Sequence, residues 1–108
     1  MNSPQRSAVY LVELDPTRGS EIQKTRPCVV VSPDEMNRYL RTAIVAPMTT
    51  SGKDYPTRIP VTFQGQEGRV ALDQLRTVDR SRLIQRLGTL TAEEGSRVLQ
   101  CLGEIFSP

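Results

Sequence analysis

Arg26 stands immediately before Pro27 and the apolar run Cys28-Val29-Val30-Val31, at the end of a polar stretch that also carries Glu21. A cation fixed at the mouth of a sheet is placed to hold a phosphate through charge-assisted hydrogen bonds. The same two charges also fit a surface salt bridge, which adds little to stability and nothing to chemistry. Thr49-Thr50 supplies hydroxyl donors at the end of a second apolar run, where hydroxyls also serve as turn-formers. Asp73-Gln74-Leu75-Arg76-Thr77 sets more polar groups behind an apolar stretch, the pattern of either a site or a structural hydrogen-bond network. The chain has no histidine. A histidine general base, a Ser-His-Asp or Cys-His unit and a two-histidine metal site are therefore excluded. Catalysis, if present, falls to Arg, Glu, Asp, Tyr, Thr, Ser or Lys. Gly19 to Thr25 has the glycine and Lys24-Thr25 of a phosphate-binding P-loop, but it lacks the second glycine and leads into a strand, where a P-loop must open a helix.

The elements that must position these residues belong to a chain of 108 residues, the length of one domain, expected to span residues 1–108 with Met1 to Ser7 as a loose arm. Charged residues make up 24% and hydrophobic ones 37%, enough for a folded core but a thin one, so a partner surface or a dimer interface is expected. Net charge is +2, yet twelve of the fourteen cations are Arg. The guanidinium grips phosphate with a planar fork, although a GC-rich genome produces the same bias. Cys28 and Cys101 lie 73 residues apart without a C-x-x-C, so no zinc framework is visible, and both read as reduced core thiols of a cytosolic protein. No stretch resembles a signal peptide and no apolar run approaches the ~18 residues needed to cross a bilayer, so a soluble, cytoplasmic protein is expected.

Ala8 to Leu14 is rich in β-branched and aromatic residues and ends at Asp15-Pro16, a strand closed by a turn. Thr17 to Thr25 is a polar loop, long for so small a domain. Pro27 to Ser32 reads as a fully buried strand, Asp34 to Tyr39 as one helical turn, and Ala43 to Met48 as a third strand with Pro47 near its end. A second polar loop, Thr49 to Thr57, leads to the alternating strand Arg58 to Gln64. Gly65 to Gly68 reads as the turn into Arg69 to Leu72, followed by shorter stretches at Thr77 to Arg82 and Leu83 to Leu87. Thr91 and Glu94 have capping-box spacing, and Val98, Leu102, Ile105 and Phe106 mark one face of a final helix. Gly95 and Gly103 either weaken that helix or permit close packing. Five or six short strands and one helix predict a mainly-β fold, a small, strongly twisted antiparallel barrel with a C-terminal α-helix.

Taken together, these pieces carry a resemblance that none carries alone. The run L-V-E-L-D-P-T-R-G-S-E-I-Q-K-T-R-P-C-V-V-V-S, Leu11 to Ser32, resembles the signature of the MazF/PemK-like toxin family. A-P-M-T-T at Ala46 to Thr50, Tyr55-Pro56, D-Q-L-R-T at Asp73 to Thr77 and R-L-G at Arg86 to Gly88 agree with it in order and spacing, over nearly the whole chain. Ser7-Ala8 departs from the Gly-Asp that members often carry before the first strand, which alters a turn. The resemblance implies an SH3-like barrel of the CcdB/PemK type and a sequence-specific, metal-independent endoribonuclease toxin, with no cofactor. It further implies a homodimer held in check by a MazE-like antitoxin whose C-terminal segment lies across it. In the MazF branch the catalytic pair corresponds to Arg26 and Thr49, with Glu21 assisting. In the PemK branch an arginine two residues before the D-Q aspartate takes part, and here that position is Ala71, so the MazF branch is the expected one.

Such chemistry needs neither histidine nor metal. RNA brings its own nucleophile, the 2′-hydroxyl, and the enzyme must align it and stabilise charge on the phosphate. An arginine side chain, with an ordinary pKa above ~12, donates protons poorly, which favours an electrostatic role for Arg26, with Thr49 helping and Glu21 as base. Single-stranded RNA is read by stacking and by hydrogen bonds to exposed base edges. The expected RNA contacts are Arg18, Gly19, Ser20 and Lys24 on the first loop, Thr50, Lys53 and Tyr55 on the second, and Asp73, Gln74 and Arg76. The competing expectation is a non-catalytic module on the same fold, either an RNA binder or a CcdB-like gyrase inhibitor. The latter acts through C-terminal residues including tryptophan, and this chain has none.

Overall fold

A computed structural model of the chain describes residues 3–50 and 52–108. The strands and helices run β1 (Ala8–Glu13), β2 (Thr25–Val30), α1 (Asp34–Tyr39), β3 (Thr42–Thr49), β4 (Arg58–Phe63), β5 (Gln66–Ala71), β6 (Arg76–Asp79), β7 (Leu83–Thr89) and α2 (Ala92–Ile105). Short 3-10 turns, Leu72–Gln74 and Arg80–Arg82, bracket β6. The antiparallel sheet has the order β4-β5-β3-β2-β1-β7, with β6 also paired to β3. It curls into an open barrel: a Cβ on Gly88 of β7 would lie 3.0 Å from the Phe63 ring at the end of β4, a contact only glycine leaves room for. The barrel with its C-terminal helix is the expected one, but it has seven strands rather than five or six, because Arg76–Asp79 pairs fully with Thr42 to Val45.

Successive strand residues face opposite sides of a sheet. The unbroken Cys28-Val29-Val30-Val31 run accordingly feeds two cores, Val29 and Val31 packing with Val9, Ala46, Leu72 and Val98, and Cys28 and Val30 with Val12, Leu14, Val45 and Leu83. Pro47 is tolerated inside β3 for a reason the sequence does not show. The outer edge of β3 pairs with β6 through Val45 and with β5 from Met48, so the proline that lacks an N–H sits in the gap between two partners.

Other boundaries differ from expectation. Strand β2 begins at Thr25, so Arg26 is a strand residue paired with Val12. The β4–β5 turn is the two-residue Gln64-Gly65, both with positive φ (52° and 76°), and Gly68 lies inside β5. The expected N-terminal arm falls partly outside the described residues, and its described part is tied down. Ser7 N–H donates to the Val30 carbonyl at 2.8 Å, Arg6 N–H to Asp34 at 2.7 Å, and the buried Asn37 amide to the Pro4 carbonyl at 3.0 Å. The capping box at Thr91 and Glu94 forms as expected. The buried stripe of α2, however, is Glu94, Gly95, Val98 and Cys101, while Phe106 is 73% exposed beyond the sheet. Gly95 does permit close packing, since a Cβ there would lie 2.9 Å from Ser7 Oγ, whereas Gly103 faces open space.

Candidate active site

Cys28 pairs with Pro47 between β2 and β3. Carrying that antiparallel register two residues further sets Arg26 across from Thr49 on the same face of the sheet. Both line a cleft of about 290 Å³ with Thr50, Phe63, Gln66 and Gly68. The Arg26 side chain is half-buried and its Nε donates to the Gln23 carbonyl at 2.9 Å, which fixes its direction. Its two terminal nitrogens meet no protein partner among the described residues. Thr49 is 8% exposed, and Gly68 explains how closely its backbone is approached: a Cβ on that glycine would lie 3.1 Å from the Thr49 carbonyl oxygen. The cleft thus holds a fixed guanidinium edge beside a threonine at the end of a buried strand, and such an edge can form charge-assisted hydrogen bonds to an oxyanion.

Four of the other expected residues gather next door. Glu21, Asp73, Gln74 and Arg76 line a separate cleft of about 510 Å³ with Ile22 and Pro47. Glu21 turns back on its own loop, its carboxylate accepting from the Arg18 N–H at 2.5 Å. The turn runs through Gly19 at φ +53°, a conformation glycine adopts without strain. The loop is pinched at its base, where Leu14 N–H donates to the Lys24 carbonyl and Lys24 N–H to Asp15, each at 3.1 Å. The Lys24 amide holds the Asp15 carboxyl below its ordinary value. Arg18, Ser20, Lys24, Thr50 and Lys53 are exposed, and Ser51 of the second loop lies outside the described residues. Burial pushes the Cys28 thiol up to about 12 while Arg26 and Arg76 pull it down, so both guanidiniums act on one point of this face. At neutral pH that thiol is no nucleophile.

Arg58 is the residue the sequence did not reveal. Its Nε and Nη2 grip the Asp73 carboxylate at 2.6 and 2.9 Å, and Thr57 Oγ1 adds a third hydrogen bond at 3.1 Å. Arg58 holds the Asp73 carboxyl below its ordinary range, and Asp73 raises that of Arg58. The same guanidinium lies 5.4 Å from the centre of the Tyr55 ring. Arg58 pairs with Ala71 across β4 and β5, so the cation beside Asp73 comes from the neighbouring strand. No local signal marks a partnership fifteen residues apart; only the strand reading of Arg58 to Gln64 hints at it. Among the described residues no group of three or more His, Cys, Asp or Glu could hold a metal ion, and no helix is long and apolar enough to cross a membrane.

Comparison with known proteins places this geometry in a family. Residues 5–106 match the model of the PemK-like, MazF-like toxin of type II toxin-antitoxin systems. The chain is 34% identical over 92 residues to the endoribonuclease toxin MazF of Escherichia coli K12, covering 84% of this chain and 83% of that protein. The crystal structure of MazF from Deinococcus radiodurans superposes with a TM-score of 0.84 at 28% identity, over 95% of this chain and 96% of that one. A MazE-MazF structure from the same organism superposes with a TM-score of 0.72 at 27% identity, over 95% of each.

Proposed function

The chain belongs to the PemK-like, MazF-like toxin family of type II toxin-antitoxin systems, and from that premise we propose that this endoribonuclease cuts single-stranded RNA at specific sequences without a metal ion. The observation that carries the reading is Arg26 opposite Thr49 in one cleft, with two guanidinium nitrogens unspent. The 2′-oxygen attacks phosphorus and the bond to the 5′-oxygen breaks, giving a 2′,3′-cyclic phosphate and a 5′-hydroxyl end. Arg26 and Thr49 hold the non-bridging oxygens, whose charge grows in the transition state. Glu21 takes the 2′-hydroxyl proton, and water returns one to the leaving oxygen. For that, RNA must draw the carboxylate away from the Arg18 amide it holds in the free chain. Glu21→Gln measures the role: a fall of ~10²–10⁴ in rate fits a base, and an unchanged rate leaves Glu21 as a loop-former only.

Arg18, Gly19, Ser20 and Lys24 of the first loop, Thr50, Lys53 and Tyr55 of the second, and Gln74 and Arg76 between them form the RNA-reading surface. A second copy of the chain completes the groove, and a MazE-like antitoxin closes it with its C-terminal segment in the cytoplasm. The test is incubation of the purified chain with a long single-stranded RNA in excess EDTA, beside Arg26→Ala. Discrete cuts with 5′-hydroxyl ends, absent in the variant, are expected. No cutting across several RNAs would overturn the reading, and a monomer by light scattering would overturn the composite groove.

A further inference from the structure

Asp73 and Arg58 sit between the two loops that face RNA, and their contacts run outward to both. On one side Arg58 lies over the Tyr55 ring, its own N–H donates to the Tyr55 carbonyl at 2.9 Å, and Leu72 N–H donates to the Thr57 carbonyl at 3.0 Å. On the other, Gln74 Oε1 accepts from the Ile22 N–H of the first loop at 3.2 Å. Both loops are therefore fastened to one 3-10 turn, Leu72–Gln74. The carboxylate of Asp73 has both oxygens engaged and its partner is only 14% exposed, so the pair is committed to structure. Tyr55 is 49% exposed. With the guanidinium over the ring and half of the side chain exposed, Tyr55 leaves aromatic surface on which a base can stack.

We propose that the Arg58–Asp73 pair is a positioning strut: it presents Tyr55 as a base-stacking platform and fixes the two loops relative to each other, setting which RNA sequence is cut rather than how fast the phosphodiester reacts. This rests on the RNA cleavage proposed above. Asp73 is then not a reacting carboxylate, and Arg58 acts through Tyr55 without touching the phosphate.

The experiment maps cut sites on a long RNA and measures kcat and KM on an oligonucleotide carrying the mapped site, for the full chain, Arg58→Ala, Arg58→Lys, Tyr55→Ala and Tyr55→Phe. Thermal melts accompany each. Arg58→Ala and Tyr55→Ala should raise KM about five- to tenfold, the worth of one stacked base, with kcat within about threefold. Both should relax the cut-site profile at the same nucleotide. Tyr55→Phe keeps the ring and should restore the profile. Arg58→Lys keeps the charge without the fork and should restore it in part. Tyr55 lies on an exposed loop, so its variants decide the matter even if Arg58→Ala fails to fold. Unchanged KM and cut sites in both alanine variants would overturn the strut alone. So would a fall in kcat joined to loss of the acidic limb of the pH–rate profile, since the pair would then be reacting. Failure of the unaltered chain to cut any RNA would overturn both readings.

Discussion

Two clefts lie side by side on this barrel and are built on opposite principles. In the first, Arg26 and Thr49 project from strands whose register fixes them, and the guanidinium retains two nitrogens without a protein partner among the described residues. In the second, Arg76 stands on β6, but Glu21, Asp73 and Gln74 stand on a loop and a 3-10 turn, and their polar side chains all have protein partners. The difference separates a guanidinium edge already available to a ligand from side chains that, in the free chain, hold the architecture around it. Rigid backbone supplies the precision of the first cleft, and the one bond from Arg26 Nε to the Gln23 carbonyl leaves the outer edge of the guanidinium for a ligand. Loops lack that precision, and the second cleft recovers it through the partners of Glu21, Asp73 and Gln74.

The sharpest way to break this comparison is Arg26→Ala. Cleavage should fall by ~10²–10³, the cost of one oxyanion-type donor. Stability should change by only about 0.5 kcal/mol, since the one protein partner lost is the Gln23 carbonyl, bonded at an exposed site. A large drop in Tm would show that Arg26 belongs to the structural kind. Next in size is Gly68→Ala. Its Cβ would press on the Thr49 carbonyl at 3.1 Å, against backbone that yields only by moving β3. A displacement of a few tenths of an ångström should cost up to about tenfold in rate, with the first loop and the Tyr55 ring, neither of which meets the new Cβ, unaffected.

How much of this was legible depended on whether the cause was local. Strand alternation at Arg58 to Gln64, the apolar run after Arg26 and the capping box at Thr91 are written in neighbouring residues, and those elements form, with β2 starting two residues earlier, at Thr25, and ending at Val30. Gly68 was read as a turn because glycine usually marks one, but the turn needed only Gln64-Gly65, and Gly68 is required by the approach of Thr49 from another strand. The Arg58–Asp73 pair and the passage of β3 from β6 to β5 around Pro47 are products of sheet topology. Ile105 and Phe106 continue the apolar face of α2, yet they stay exposed, at 36% and 73%. Periodicity tells which face of a helix is apolar, not how far its partner extends.

Asp73→Asn sharpens the comparison from the structural side. The variant keeps one acceptor and loses the charged fork, so the expected cost is about 1 kcal/mol, a few degrees in Tm. The change in kcat should be smaller than for Gly68→Ala, because the cleft proposed for the reaction is next door.

The smallest expected effect is in acid, and its sign follows from Asp73. The Arg58 fork depresses the folded-state value of this carboxyl relative to the unfolded one near ~3.9. Its contribution is therefore fully present above the unfolded value and is lost as pH falls through the folded one. Glu94 behaves with the same sign: burial raises its carboxyl, but the N–H groups of Thr62 and Thr91, at 2.9 and 3.1 Å, outweigh it and leave the net value lowered. Glu94 is common to the chain and to Asp73→Asn, so its share cancels in the difference between them. Denaturant melts of both from neutral pH down to about pH 3 should converge as the chain loses the Asp73 contribution that the variant never had. Arg26→Ala should instead run parallel to the unaltered chain over the same range, since the first cleft brings no carboxylate within 4.0 Å of the guanidinium among the described residues. Convergence for Arg26→Ala would mean that a carboxylate is paired with it in solution, and the two clefts would then be of one kind.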